Sequence, residues 1–130
     1  MYQYYNANTY QRDVEDCTIR AISVAEGISW DKAYIKLSDY ARKKGLMLSS
    51  YEAIENYLDD NYERECFRET TVGEFVRRHP NGTYLVTMSG HITVVKDGIN
   101  YDTFDCSDRI IWCAWTVDKW KKLIYNQIIH

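Results

Sequence analysis

The hydrophobic period of the sequence changes at Pro80, its single proline, and that change limits what the chain can fold into. Before Pro80 the apolar residues recur at helical spacing. Asp16 and Gly27 bracket a predicted helix over 16–27, with Ala21, Val24, Ala25 and Ile28 on one face. A second is predicted over 30–44, capped by Ser29 and stopped by Gly45, with Trp30, Ala33, Tyr34, Leu37 and Ala41 inward. A capping box, Ser49-x-x-Glu52, opens a third over 50–60, burying Tyr51, Ile54 and Leu58. Another, Thr71-x-x-Glu74, opens a fourth over 72–79, burying Val72, Phe75 and Val76.

After Pro80 the period falls to two. Thr83–Met88 and His91–Val95 read as strands, and Asp97-Gly98 is the two-residue signature of a tight hairpin that returns through Ile99–Phe104. Ile110–Trp115 is apolar on both faces, as in a central strand. Beyond Val117, Trp120, Leu123, Ile124 and Ile128 recur at helical spacing. Helices followed by an antiparallel sheet make an α+β chain, and 130 residues without linker or repeat suit one domain over 1–130.

A net charge of −3 lacks the footprint of a nucleic-acid binder, and no apolar run reaches membrane-span length. The start, Met1-Tyr2-Gln3-Tyr4, has none of the marks of a signal peptide, so a cytoplasmic location is expected. Cys17, Cys66, Cys106 and Cys113 show no C-x-x-C spacing, and His79, His91 and His130 do not complete a zinc set. Four free thiols and no metal or cofactor are therefore expected.

Which thiol is reactive follows from position. Cys17 stands at the first position of the first predicted helix, where the helix dipole and unpaired N–H groups favour thiolate. Asp16 beside it works against a second negative charge, so an imidazolium is needed. His91 can supply one. With a two-residue turn at Asp97-Gly98, Lys96 pairs with Ile99, Val94 with Tyr101 and Thr93 with Asp102. His91, Thr93 and Asp102 then share a face, with Asp102 one diagonal step from His91, placed to accept its N–H. A bulge or a longer turn would bring in Asp105 instead. Gln11, six residues before Cys17, can add an amide to the Cys17 N–H as an oxyanion hole.

Gln11-Arg12-Asp13-Val14-Glu15-Asp16-Cys17 resembles the Gln-x(4)-Asp-Cys segment of papain-like peptidases that cleave leader peptides in bacteriocin transporters. Asp16–Ile22, Gly90–Gly98 and Tyr101–Cys106 are closer to small cysteine-peptidase-like proteins of phage and bacterial genomes. The resemblance implies a papain-like fold, helices leading with the nucleophile at the start of the first and an antiparallel sheet following. It implies Cys17 as nucleophile, His91 as base, Asp102 as orienting residue and Gln11 as oxyanion donor. A thiol hydrolase of peptide, isopeptide or amide bonds is the expected activity, with a protein or peptide substrate. Transamidation, deamidation or a non-catalytic protein-binding role on the same fold, such as a phage modulator of a host protein, are the alternatives. Thr18 departs from the leader peptidases, which usually carry Gly after the nucleophile.

Overall fold

The computed structural model describes residues 1–117, and the predicted C-terminal helix lies outside them. Four helices and six strands follow in the order β1 (Tyr2–Tyr4), α1 (Cys17–Glu26), α2 (Trp30–Lys44), α3 (Tyr51–Asn61), β2 (Glu63–Cys66), α4 (Val72–Arg78), β3 (Thr83–Met88), β4 (His91–Lys96), β5 (Ile99–Asp102) and β6 (Ile111–Thr116). The strands form one sheet in the order β1-β5-β4-β3-β6-β2. The architecture is α+β, as the change of period predicts.

Two strands depart from that prediction. β1 pairs parallel with β5, aligning Tyr4 with Asp102, so the sheet is mixed rather than antiparallel. β2 lies amid the helical half and closes the other edge against β6. Its partnership sets Cys66 directly opposite Cys113, and the two are disulfide-bonded with Cα atoms 4.1 Å apart. Four free thiols were expected; only Cys17 and Cys106 are free.

The helices divide between the two faces of the sheet. Ile19, Ile22 and Ala25 of α1, Ala33 and Leu37 of α2, and Tyr57 and Leu58 of α3 pack with Leu85, Ile92, Val94 and Trp115 on one face. Val72, Phe75 and Val76 of α4 pack with Val86, Met88, Val95 and Ile111 on the other. The hairpin forms in the predicted register, Val94 opposite Tyr101 and Lys96 opposite Ile99. Asp97 (φ 50°) and Gly98 (φ 74°) both take the left-handed conformation that a tight two-residue turn demands.

The caps fall mostly as predicted. Ser29 and Thr71 accept from the backbone N–H groups of Lys32 and Glu74, but Ser50 rather than Ser49 caps α3, accepting from Ala53. That shift turns Tyr51 outward, half-exposed instead of buried. Tyr34 is likewise exposed on α2. His79 caps the end of α4, its Nδ1 2.8 Å from the Phe75 carbonyl. No helix among the described residues is long and apolar enough to cross a membrane.

Candidate active site

Three of the predicted side chains meet at the end of the sheet where α1 begins. α1 packs across β4, which sets its first residue, Cys17, beside the first residue of β4, His91. His91 Nε2 lies 2.7 Å from Asp102 Oδ2. Cys17 lines the same groove as that imidazole, and each favours the charged form of the other. Asp102 sits one diagonal step across the hairpin, where the turn register puts it.

Asp102 is held from several sides. Its carbonyl accepts from the Tyr5 N–H at 2.9 Å and from the Tyr2 hydroxyl at 3.2 Å, both donors brought by β1 and the residue after it. Its Oδ1 accepts from the Thr103 N–H at 2.7 Å, and the Thr93 hydroxyl also bonds the carboxylate. Asp105, the alternative orienting residue, is exposed and binds the Ser107 N–H and hydroxyl, so it takes no part.

The electrostatics favour an ion pair. Burial works against charge on His91, but the bonds to Asp102 and Cys17 outweigh it and raise its pKa to about 9. Burial likewise opposes a Cys17 thiolate. It is outweighed by the His91 hydrogen bond, the Ile92 backbone and the Thr18 hydroxyl, so the thiol is more acidic than an ordinary cysteine. Asp102 is held below the usual carboxylate range: against the burial penalty stand the bonds to His91 and Thr93. These directions favour thiolate on Cys17 and imidazolium on His91.

Asp16 resolves a conflict that the sequence raised. Its side chain makes no cap hydrogen bond to α1. Its carboxylate is taken up by Asn8 Nδ2 (3.1 Å), Trp30 Nε1 (2.9 Å) and Arg20 Nη1 (2.8 Å). The Asp16 side chain therefore does not occupy the first-turn N–H groups at the head of α1, which have no intrahelical acceptor.

Gln11 does not do what was predicted of it. It stands exposed in a left-handed conformation (φ 53°), and its Nε2 donates to the carbonyls of Asn6 (3.1 Å) and Asn8 (2.9 Å). Its amide folds the loop before Cys17, because nearby backbone acceptors in the same turn compete for it. Sequence reasoning also missed Arg20, a buried cation whose only signal was its i,i+4 spacing from Asp16.

Cys17 and His91 open into a groove of about 850 Å³. Leu37, Leu48, Tyr51, Ile54, Met88, Phe104 and Trp112 line it, together with the exposed Asp13 and Glu15. Trp112 reaches this groove through a bulge. Thr87 pairs with Cys113 and Met88 with Ile111, so Trp112 has no partner on β3, and its ring stands half-exposed against Tyr51.

His91, Asp102 and Cys106 bring three ligand atoms within 4.8 Å of one another. Their chemistry is that of a proton network rather than a metal set. Cys106 is fully buried, its pKa is pushed up to about 12 by burial and by Asp102, and its S–H donates to Asn100 Oδ1. No known family model, characterised protein or solved structure matches this chain.

Proposed function

We propose that the chain is a papain-like cysteine hydrolase that cleaves a peptide, isopeptide or amide bond. The observation that carries this reading is the His91–Asp102 pair set beside Cys17. His91 Nε2 is held by Asp102 at 2.7 Å, and Cys17 shares an open groove with the imidazole and favours its charged form.

In the proposed reaction the Cys17 thiolate attacks the carbonyl carbon and forms a C–S bond, pushing the carbonyl electrons onto oxygen. The Cys17 N–H, at the head of α1, donates to that oxyanion in place of the Gln11 amide. Collapse breaks the C–N bond, and the His91 imidazolium gives its proton to the leaving amine. Neutral His91 then draws a proton from water, which hydrolyses the thioester and restores the ion pair. Asp102 keeps the ring in one orientation and steadies its charged form. The groove suits an extended peptide, because aromatic and aliphatic side chains line it together with Asp13 and Glu15. An amine in place of water would turn the same thioester to transamidation.

The test is incubation with a degenerate peptide mixture, with cleaved bonds read by mass spectrometry. The proposal expects cleavage that disappears in Cys17→Ala and His91→Ala. Cleavage that survives Cys17→Ala, or a wild-type protein that neither cleaves nor forms a Cys17 adduct with a peptide aldehyde, contradicts it. In the second case the groove would be a protein-binding surface.

A further inference from the structure

Behind the three reacting groups lies a buried cation that the proposed chemistry does not use. The Arg20 side chain is only 10% exposed. Its Nη1 donates to Asp16 Oδ1 at 2.8 Å, and its Nη2 points to Asp102 Oδ1 at 3.7 Å. Asp16 in turn is gripped by Asn8 and Trp30, so the guanidinium is anchored at one end and presents its other end to Asp102. Five groups then follow one another with alternating charge: Cys17 thiolate, His91 imidazolium, Asp102 carboxylate, Arg20 guanidinium, Asp16 carboxylate.

From this geometry, and resting on the reading of Cys17 as nucleophile, we propose that Arg20 is a positioning residue that holds Asp102 charged and turned toward His91. Each carboxylate oxygen of Asp102 has its own task. Oδ2 meets His91, while Oδ1 is fixed by the Thr103 N–H and by Arg20. Two buried carboxylates, Asp16 and Asp102, sit on either side of a single cation, and without it one of them must take up a proton or turn away. Either response loosens the imidazolium, and with it the thiolate. The planar fork matters, because a lysine offers one point of charge and cannot reach both carboxylates in this arrangement.

The other groups facing the pair are accounted for. Asp13 and Glu15 line the groove on the approach to α1, Tyr2 of β1 bonds the Asp102 carbonyl, and Thr93 of β4 bonds its side chain. Cys106, after β5, keeps its proton. Among the described residues Arg20 and His91 are the cations within 4 Å of the Asp102 carboxylate, and Arg109 acts on Cys106 from farther off.

The test is a pH titration of the Cys17 thiolate by ultraviolet absorbance, with Cys17→Ser as the blank and thermal midpoints measured alongside. Arg20→Gln should move the thiolate midpoint up by about one pH unit, a tenfold change in the protonation equilibrium. Arg20→Lys should recover only part of it. Asp16→Asn should keep the wild-type titration. The decisive variant is Asp16→Asn/Arg20→Gln, which removes the buried pair together and keeps the fold accessible if Arg20→Gln alone unfolds. The proposal expects its thiolate midpoint to stay shifted while its thermal midpoint recovers. A double variant that titrates like wild type makes Arg20 merely the counter-ion of Asp16 and overturns the proposal. A wild-type thiol that titrates as an ordinary cysteine, unmoved by His91→Ala, instead sinks the nucleophile reading on which the proposal rests.

Discussion

At Cys17 two effects of opposite sign compete, and the neighbours decide the outcome. Burial protonates a thiol; an imidazolium, a helix N-terminus and a backbone N–H deprotonate it. Asp16 would tip the balance the wrong way if its charge faced the sulfur, but three donors draw it off. Asp102 acts one step further out. Replacing it with Asn keeps the shape and a hydrogen bond to the ring but removes the anion that favours imidazolium. Asp102→Asn should therefore slow Cys17 alkylation near pH 6 by about tenfold or more, on the order of 1.4 kcal/mol or above. Asp105→Ala should leave that rate unchanged, because its carboxylate serves only Ser107. Iodoacetamide labelling followed by peptide mapping measures both. Equal loss in the two variants would assign the orienting role wrongly.

Among the elements, the hairpin and the edge strand divide the task of placing Asp102. Asp97-Gly98 sets the register of β4 and β5, and β1 then ties down the end of β5 through Tyr5 and Tyr2. Tyr2→Phe removes one of those ties without changing packing volume. It should cost about 1 kcal/mol of stability in urea unfolding and modestly lower Cys17 alkylation near pH 6. Full stability and full reactivity would show that β1 is not what holds Asp102. The hairpin register, and hence Asp102 over Asp105, was legible because a two-residue turn leaves one pairing open. β1 was not legible: three residues pairing parallel at an edge carry no turn and little alternation. β2 was hidden by its charge, since Glu63, Arg64 and Glu65 are exposed and the strand lies at the sheet edge against β6. The Trp112 bulge was masked because an apolar run looks alike with or without an extra residue. Gln11 misled for a local reason: its amide meets backbone carbonyls within its own loop before it can reach the sulfur.

For the whole molecule, the ion pair links reactivity and stability to pH in different ways. His91 has a folded pKa of about 9 against an ordinary 6.5, so alone it would cost stability as pH rises from about 6.5 to 9. Cys17 is depressed from an ordinary 9.0, so alone it would add stability as pH rises toward 9. The two slopes oppose each other, so thermal melts should change less between about pH 7 and 8 than His91 alone would make them. A fall as steep as that of His91 alone would mean that the folded thiol keeps its proton. The Cys66–Cys113 bond joins positions 47 residues apart and closes the β2 edge far from that pair in sequence. Its reduction should cost about 3–4 kcal/mol in denaturant unfolding and leave Cys17 reactivity in place; no change in stability would argue that the bond does not form. The most direct measurement is the rate of iodoacetamide capture at each cysteine near pH 6, in wild type and in His91→Ala. The account predicts rapid, selective alkylation of Cys17 over buried Cys106, lost when the imidazole is removed. Slow labelling of Cys17 that rises only toward pH 9 and ignores His91→Ala would contradict it.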